Sequence, residues 1–531
     1  MERFFKRVSN GSHPQESHSQ KVEVESSKRK YSIDKDSVFC LCCYLLKPNI
    51  GEQAGGKSFV GKGFSNWKKK KRLVEHVGNH SSYHYQFDCI RFLIRQGLTF
   101  RGHDESEDST NQGNFLKLLN FLADHNEEVR VVALKNAPEN LRLTSPKIQK
   151  DIVNACAIET INVIIRDMGD AAFSILVDES RDVSIKEQMV VMFRYVNKKG
   201  YVIESFIGIE HVANTTAVSL KTAINKLFSK HGLSISRLRG QCYDGASNMS
   251  GEFNGLKTII MKENECAFFV HCFAHQLQLV LMGVAKKHGL IGTFFTIVSN
   301  MVNIVGASSK CRDILREKQA LKVIEALKSG ELSSGKGLNQ EIGIKRPCDT
   351  RWGTHFDLQL QELNSRFNEA NIELLLCLTC LSPNNSFFAF DKRKLIRLAQ
   401  LYSYNFSTVD LRVLENQLQT YVDDLHSNDK FSELKGIADL AKRLVETRKH
   451  EVYPLVYLLI KLALTLPIAT AFVERVFSAM NIVKNQMRNK MGDQWLNDCL
   501  TVYLEKDVFN AIDNEPIIQR FQNMKTRREQ L

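Results

Sequence analysis

The chain contains no run of about 18 apolar residues, the length a helix needs to cross a bilayer, and its opening MERFFKRVS (1–9) lacks the apolar core of a secretion signal. Neither a membrane-spanning nor an exported protein is expected. Proline is scarce, at 9 in 531 residues, and tryptophan scarcer, at 3. Hydrophobic residues make up 43% and charged residues 25%, which excludes a mostly disordered chain and leaves room for roughly two to four domains. Acidic residues are the minority charge: 59 Asp and Glu against 72 Lys and Arg give a formal net charge of +13. That excess favours an acidic partner, of which nucleic acid is the commonest. Without an export signal, the 13 cysteines read as thiols or metal ligands rather than as a disulfide framework.

Residues 1–35 are polar, rich in Ser, Gln and Lys, and carry no apolar period, so a flexible basic tail is expected there. From Phe39 to His84 the texture turns to Cys, aromatic and His residues, marking a small module. A helical period opens at Leu116, Leu119, Phe121 and Leu122 and runs to Met168. Then the rhythm changes. FSILVD (173–178), QMVVMFRYV (188–196) and YVIESFIGIEHV (201–212) are three apolar runs with short links, including KKG at 198–200, and predict an antiparallel meander. Leu220, Ile224, Leu227 and Phe228 predict a helix ending at Gly232. LRGQCYD (238–244) and CAFFV (266–270) predict two more strands, each followed by helix. A long, mostly helical region covers about 275–460, and the tail from Pro467 to Leu504 is amphipathic, with Val473, Val476, Phe477, Met480 and Val483 on one stripe.

Three meandering strands followed by two helix-linked strands is the order of an RNase H-like sheet, in which the first and fourth strands are parallel neighbours. The first would end in Asp178 and the fourth in Asp244, setting two carboxylates at the carboxyl edge of adjacent strands, where they can share divalent cations. The following turn, GASNMSG (245–251), is built of small residues that let a bulky polyanion approach. Two metals would require a third acid. The ordinary role of an Asp at a strand end, turn former or helix cap, competes with this reading.

FSILVDESRDVS (173–184), GQCYDGASNMSGEFNG (240–255), HCFAH (271–275), CDTRWGTH (348–355) and LPIATAFVERVFSAMNIVKNQMRNKMGDQWLNDCL (466–500) closely resemble the hAT transposase superfamily, and in particular its plant-type group with a TTF-type zinc finger, the zinc finger MYM-type protein 1-like proteins. The resemblance runs from about residue 31 to the end, with the five blocks in the family's order. It implies an α/β fold: an RNase H-like catalytic domain interrupted by a helical insertion, preceded by a small zinc finger and a helical segment, and completed by a C-terminal dimerisation segment. Asp178 and Asp244 match the family's first and second catalytic acids, and Glu474 the third, returned to the site by the helix after Pro467. Together they would bind Mg2+ or Mn2+. Cys272 and His275 match a C-x-x-H element beside the active site. Trp352 matches an insertion-domain Trp associated with an extrahelical base, which an indole can hold by stacking worth roughly 1–3 kcal/mol. Taken alone, Glu474 equally reads as a surface helix residue, Cys272 and His275 as core, and Trp352 as core.

Cys40 and Cys43 have the spacing that grips one Zn2+ from a tight turn, and two His on a following helix or loop complete a tetrahedron. His76 and His84 match the TTF-type pattern, with Ser82 two before the last His; His80 is a nearer spare ligand and Cys42 an off-pattern thiol. Lys68, Lys69, Lys70, Lys71 and Arg72 form a basic run beside Trp67 that could hold phosphate, or else a solvated charged face. In the tail, Leu496, Cys499, Leu500 and Tyr503 add more apolar stripe than a terminal helix pair needs; part of it can pack within the monomer, and the resemblance points to a subunit interface. Lys484, Arg488 and Lys490 add positive charge nearby.

The expected organisation is a tail at 1–35, a TTF-type zinc finger at 36–90, a helical segment at 91–170, the first part of the RNase H-like core at 171–290, a helical insertion at 291–450 and the dimerisation segment at 451–531. One departure from the family bears on activity. After CDTRWGTH a long helical stretch normally intervenes, whereas here LQLQELNSRFNEAN begins at Leu358, so the insertion is shortened. The aromatic-rich lead-in before the finger is also absent. The expected protein is therefore nuclear and transposon-derived, binds DNA, and forms a homodimer or higher oligomer, with its transposase activity impaired. The alternative is a working DDE-type DNA transposase using divalent metal for strand cleavage and transfer.

Overall fold

The computed structural model describes residues 29–32, 37–40, 82–130, 144–277, 289–307 and 369–524, apart from positions 107, 127, 128, 274, 432, 433 and 468, together with a few positions between 314 and 329. By its contacts the chain divides into two units, one made of Met1–Phe87, Leu119–Ser145 and Asp513–Leu531, the other of Asp88–Leu118 and Pro146–Ile512.

In the first unit, β1 (Arg29–Ser32) pairs antiparallel with β2 (Ser37–Cys40), Arg29 lying opposite Cys40. Regular structure thus begins inside the stretch expected to be a flexible tail to residue 35. Tyr31 and Val38, cross-strand partners, are the strand-forming residues that an apolar-period reading of four-residue strands cannot resolve.

The second unit holds the main sheet. Within the helical period at 116–168 the described helices include Asn114–His125, which belongs to both units, and Pro146–Met168 (α1), the latter opening on a proline, whose missing N–H costs nothing in a first turn. There follow β3 (Phe173–Arg181), β4 (Glu187–Val196), β5 (Val202–His211), α2 (Ala217–Lys230), β6 (Leu238–Tyr243), α3 (Leu256–Glu263) and β7 (Phe268–His271). The strands lie in the order β5-β4-β3-β6-β7, with β3–β4 and β4–β5 antiparallel and β3–β6 and β6–β7 parallel. This is the order expected from the sequence. The β4–β5 turn needs Gly200, whose φ of +80° favours glycine and whose added Cβ would come within 2.8 Å of the Ala441 carbonyl oxygen. Thr216 caps α2 by accepting from the Ser219 amide, and the helix gives way at Gly232, at φ +64°.

Strand alternation sorts the sheet's two faces. Phe173, Ile175 and Val177 of β3 pack with Ile161 and Ile164 of α1, Leu220, Ile224 and Phe228 of α2, and Leu256 and Ile260 of α3. Full burial of each such side chain stabilises by about 1.5–3 kcal/mol. Beyond β7 come α4 (Gly289–Ala307), α5 (Glu369–Thr379), α6 (Lys392–Leu401), α7 (Thr408–His426), α8 (Ile437–Glu446), α9 (Pro454–Thr465), α10 (Ala471–Val483) and α11 (Asp493–Leu504). Helices α5–α9 bury a second core, and α9 lies on β4 and β6 while α10 lies on β3 and β4. The described residues between 291 and 450 are mostly helical.

Most of the C-terminal stripe packs within the chain, although its Phe477 and Tyr503 are only half-buried. Val473, Val476, Met480 and Val483 of α10, and Leu496, Cys499 and Leu500 of α11, are buried inside the chain itself. The physical reason is that α11 packs on α1 and β5, and its polar side chains complete the sheet: Asn497 Oδ1 accepts from the Ile209 amide at 3.0 Å and Asp498 Oδ2 from Asn154 Nδ2 at 2.9 Å. The eight cysteines whose side chains are described are free thiols, all buried. Among the described residues no helix is long and apolar enough to cross a membrane.

Candidate functional site

Parallel pairing brings Asp178 and Asp244 together. The last pair of the β3–β6 ladder is Leu176 with Cys242, and each acid lies two residues further along the chain, Asp244 just beyond the end of β6. Asp178 does not end β3, as the sequence suggests; β3 continues to Arg181 because its hairpin with β4 runs on to the Arg181–Glu187 ion pair of 2.6 Å. It lies instead where β6 has stopped, so it still borders the sheet's carboxyl edge. Asp244 also fills the ordinary turn role, its Oδ1 accepting from the Ala246 amide at 3.1 Å, while Asp178 Oδ1, within β3, accepts from the adjacent Glu179 amide at 2.9 Å.

Glu474 reaches the same region from the first turn of α10. Burial pushes the Asp178 carboxyl up to about 7; the Glu179 amide opposes this, and the charges of Asp244 and Glu474 add to it. The charges of the other two acids therefore both act on Asp178. A fourth acid, Glu179, follows Asp178 directly in the same block and carries no strand-end signal of its own. Burial, then the charges of Asp244, Glu187 and Asp178, push its carboxyl up to about 7, and its Oε1 is buried with no hydrogen-bond partner. Carboxylate oxygens are hard donors suited to Mg2+ or Mn2+, and a buried acid repelled by its neighbours is relieved by a cation. The donor chemistry fits such an ion. The site is nonetheless open: Glu474 is exposed, and among the described residues no three His, Cys, Asp or Glu side chains stand close enough to hold one metal ion.

The residues around the acids are fixed by β7. Gly245 makes room for His271, since an added Cβ would lie 2.5 Å from the imidazole Cε1. Of the small residues expected to admit a polyanion, this one instead admits a ring, while Ala246 and Ser247 are exposed. Cys272 is buried, and its Sγ accepts from the Thr470 amide at 3.4 Å and hydroxyl at 3.3 Å. His275 lies one turn on, its ring 5.7 Å from that of His271. The positive charges of the tail are mostly spoken for: Lys484 is buried against Asp182, Arg488 Nη1 donates to the Gly97 carbonyl at 2.8 Å, and Lys490 is exposed. Lys484 is therefore no surface charge, a correction that the sequence hides because its partner lies 302 residues away.

The other site residues fall elsewhere. Cys40 ends β2, and His84 lies in helix Ser82–Arg95. Cys43, His76, Trp67, Lys68, Lys69, Lys70, Lys71, Arg72 and Trp352 lie outside the described residues.

A mixed sheet in this order, helices on both faces and acids at the edge of its central parallel pair define an RNase-like α/β protein. Residues 57–87 and 85–255 match the family model described as ZMYM1/FAM200, RNase-like domain, and residues 424–508 match the hAT family C-terminal dimerisation region. The chain is thus similar to hAT-related proteins in its RNase-like region and in its C-terminal region. It is 23% identical over 310 residues to the human 52 kDa repressor of the inhibitor of the protein kinase, covering 56% of this chain and 38% of that protein. To the mouse protein of the same name it is 24% identical over 277 residues, covering 51% and 35%. The chain thus matches little more than a third of the length of these relatives.

Proposed function

We propose that this chain is a transposon-derived, nuclear protein that binds DNA and associates with itself, and that its capacity for strand cleavage is impaired. The reading is supported by Asp178 and Asp244 bordering the carboxyl edge of β3 and β6, with Glu474 on the first turn of α10, in a chain of net charge +13 that carries an RNase-like region and a hAT-type C-terminal region. A basic surface holds a polyanion by displacing its counterions, and needs no completed catalytic cage. Self-association rests on the dimerisation region at 424–508 and uses surfaces other than the buried stripe of α10 and α11.

Further parts of the reading are supported by residue pattern. Cys40, Cys43, His76 and His84 would hold Zn2+, setting Trp67, Lys68, Lys69, Lys70, Lys71 and Arg72 against phosphate; Trp352 would take an unpaired base. The second reading, an active DDE-type transposase, is favoured by the presence of all three acids. When bound, Mg2+ or Mn2+ would supply Lewis acidity to a phosphoryl group. The chain's own part would be to hold two oxygen donors from the sheet and a third from α10. Impairment is supported by the shortened stretch after His355 and by the open arrangement of the acids, since productive geometry must be held to within about half an ångström. Binding of duplex DNA by the purified chain, measured from about 50 to 200 mM salt, tests the reading: affinity falls steeply over that range, by 10-fold or more. Undetectable binding at the low end would refute it.

A further inference from the structure

Cys272 occupies a junction between the strand that carries the second acid and the helix that carries the third. Its amide donates to the carbonyl of Tyr243, the residue before Asp244, at 3.3 Å. Its sulfur accepts from both the amide and the hydroxyl of Thr470. The carbonyl of Thr470 in turn accepts from the Glu474 amide at 3.2 Å and the Val473 amide at 2.9 Å. Asp244 and Glu474 are therefore joined through one buried cysteine and one buried threonine, with no water-exposed link between them.

Thr470 shows that this junction overrides local preference. It is the N-cap residue of α10, where a threonine hydroxyl ordinarily accepts a bond from an amide of the first turn. Here it makes no side-chain cap, and the hydroxyl donates outward to sulfur instead. The start of α10 is thus fixed to the end of β7 rather than closed on itself. Glu474, otherwise exposed on a first turn that lacks a side-chain cap, has its backbone fixed by that attachment.

We infer that Cys272 is a positioning residue for Glu474: its thiol sets the start of α10, and so the place of the third carboxylate relative to Asp244. The inference rests on the reading of the three acids as a divalent-cation site, but the tether can be tested apart from it. Hydrogen exchange of wild type, Cys272→Ala, Cys272→Ser and Thr470→Val reads the tether directly. In Cys272→Ala the Val473 and Glu474 amides exchange at least about fivefold faster while those of α11 keep their rates; Cys272→Ser restores part of the protection, and Thr470→Val, which removes only the hydroxyl donor, shows a smaller rise. Unchanged exchange in Cys272→Ala, or an equal rise across α10, α11 and β7, would overturn the inference.

A Mn2+ titration of the same proteins reads the consequence. Cys272→Ala weakens binding by about tenfold, as loss of a residue supporting a ligand does, and has no further effect in a Glu474→Gln background. An equal loss in both backgrounds would reduce Cys272 to core packing. A wild type that binds no Mn2+, together with the expected exchange pattern, would leave the tether standing and refute the cation site.

Discussion

Lys484 Nζ lies 2.6 Å from Asp182 Oδ2, with both side chains almost wholly out of water. Asp182 stands just beyond the end of β3, four residues after Asp178, and Lys484 caps the carboxyl end of α10. The same carboxylate accepts from Gln188 Nε2 at 3.0 Å and from the Ser184 and Lys186 amides at 2.7 and 3.2 Å. The helix bearing Glu474 is thus held at both ends, by Thr470 on Cys272 and by Lys484 on Asp182. A cation at the last turn also complements the helix dipole.

Lys484→Met leaves a buried carboxylate without its charge partner and lowers stability by about 3–5 kcal/mol, whereas Lys484→Met with Asp182→Asn loses much less. Urea unfolding of the three proteins measures this; a single-variant loss below about 1 kcal/mol would contradict the strap. Burial raises the Asp182 carboxyl, but the bonds from Lys484, Gln188 and the two amides outweigh it and hold it below its ordinary value. Its contribution is accordingly present above the ordinary carboxylate range and is lost as pH falls through the lowered value.

Asp178 has the opposite sign. Its folded value near 7 stands above the ordinary 3.8, so the folded state keeps a proton that the unfolded state releases, and stability falls as pH rises between those values. Asp178→Asn is therefore more stable than wild type at pH 8, by about 1–3 kcal/mol, and equal to it below about pH 4. Thermal unfolding across that range checks the sign. Equal stability at pH 8 would show that Asp178 carries no electrostatic strain.

The proposed zinc site gives a stoichiometric prediction. Purified protein carries one Zn2+ per chain, and Cys40→Ser loses most of it; metal analysis after dialysis measures both. Zinc content unaltered by Cys40→Ser would remove that ligand set. If His80 replaces His84, then His84→Ala alone leaves zinc in place.

The order of the main sheet was legible because apolar runs and short links mark each strand, and the two aspartates follow from that order. The exact ends were not, since β3 outruns Asp178 only by virtue of its pairing with β4. The destination of the C-terminal stripe was not legible either: a row such as Val473, Val476 and Met480 shows that a helix has an apolar face, but not whether its own sheet or a second chain covers it. Lys484 looked like surface charge for a similar reason, because burial beside Asp182 depends on a contact remote in sequence. Thr470 carried no usable signal, since its hydroxyl departs from the capping role its position implies.

The most direct test of the account is strand cleavage. Purified full-length chain is incubated with Mg2+ or Mn2+ and a duplex carrying the terminal sequence of its own element, alongside an Asp178→Ala control, with binding followed on the same DNA. The account predicts salt-sensitive binding by both proteins and little or no cleavage by either. Robust cleavage by the wild-type chain that disappears in Asp178→Ala would contradict it and establish the active transposase instead.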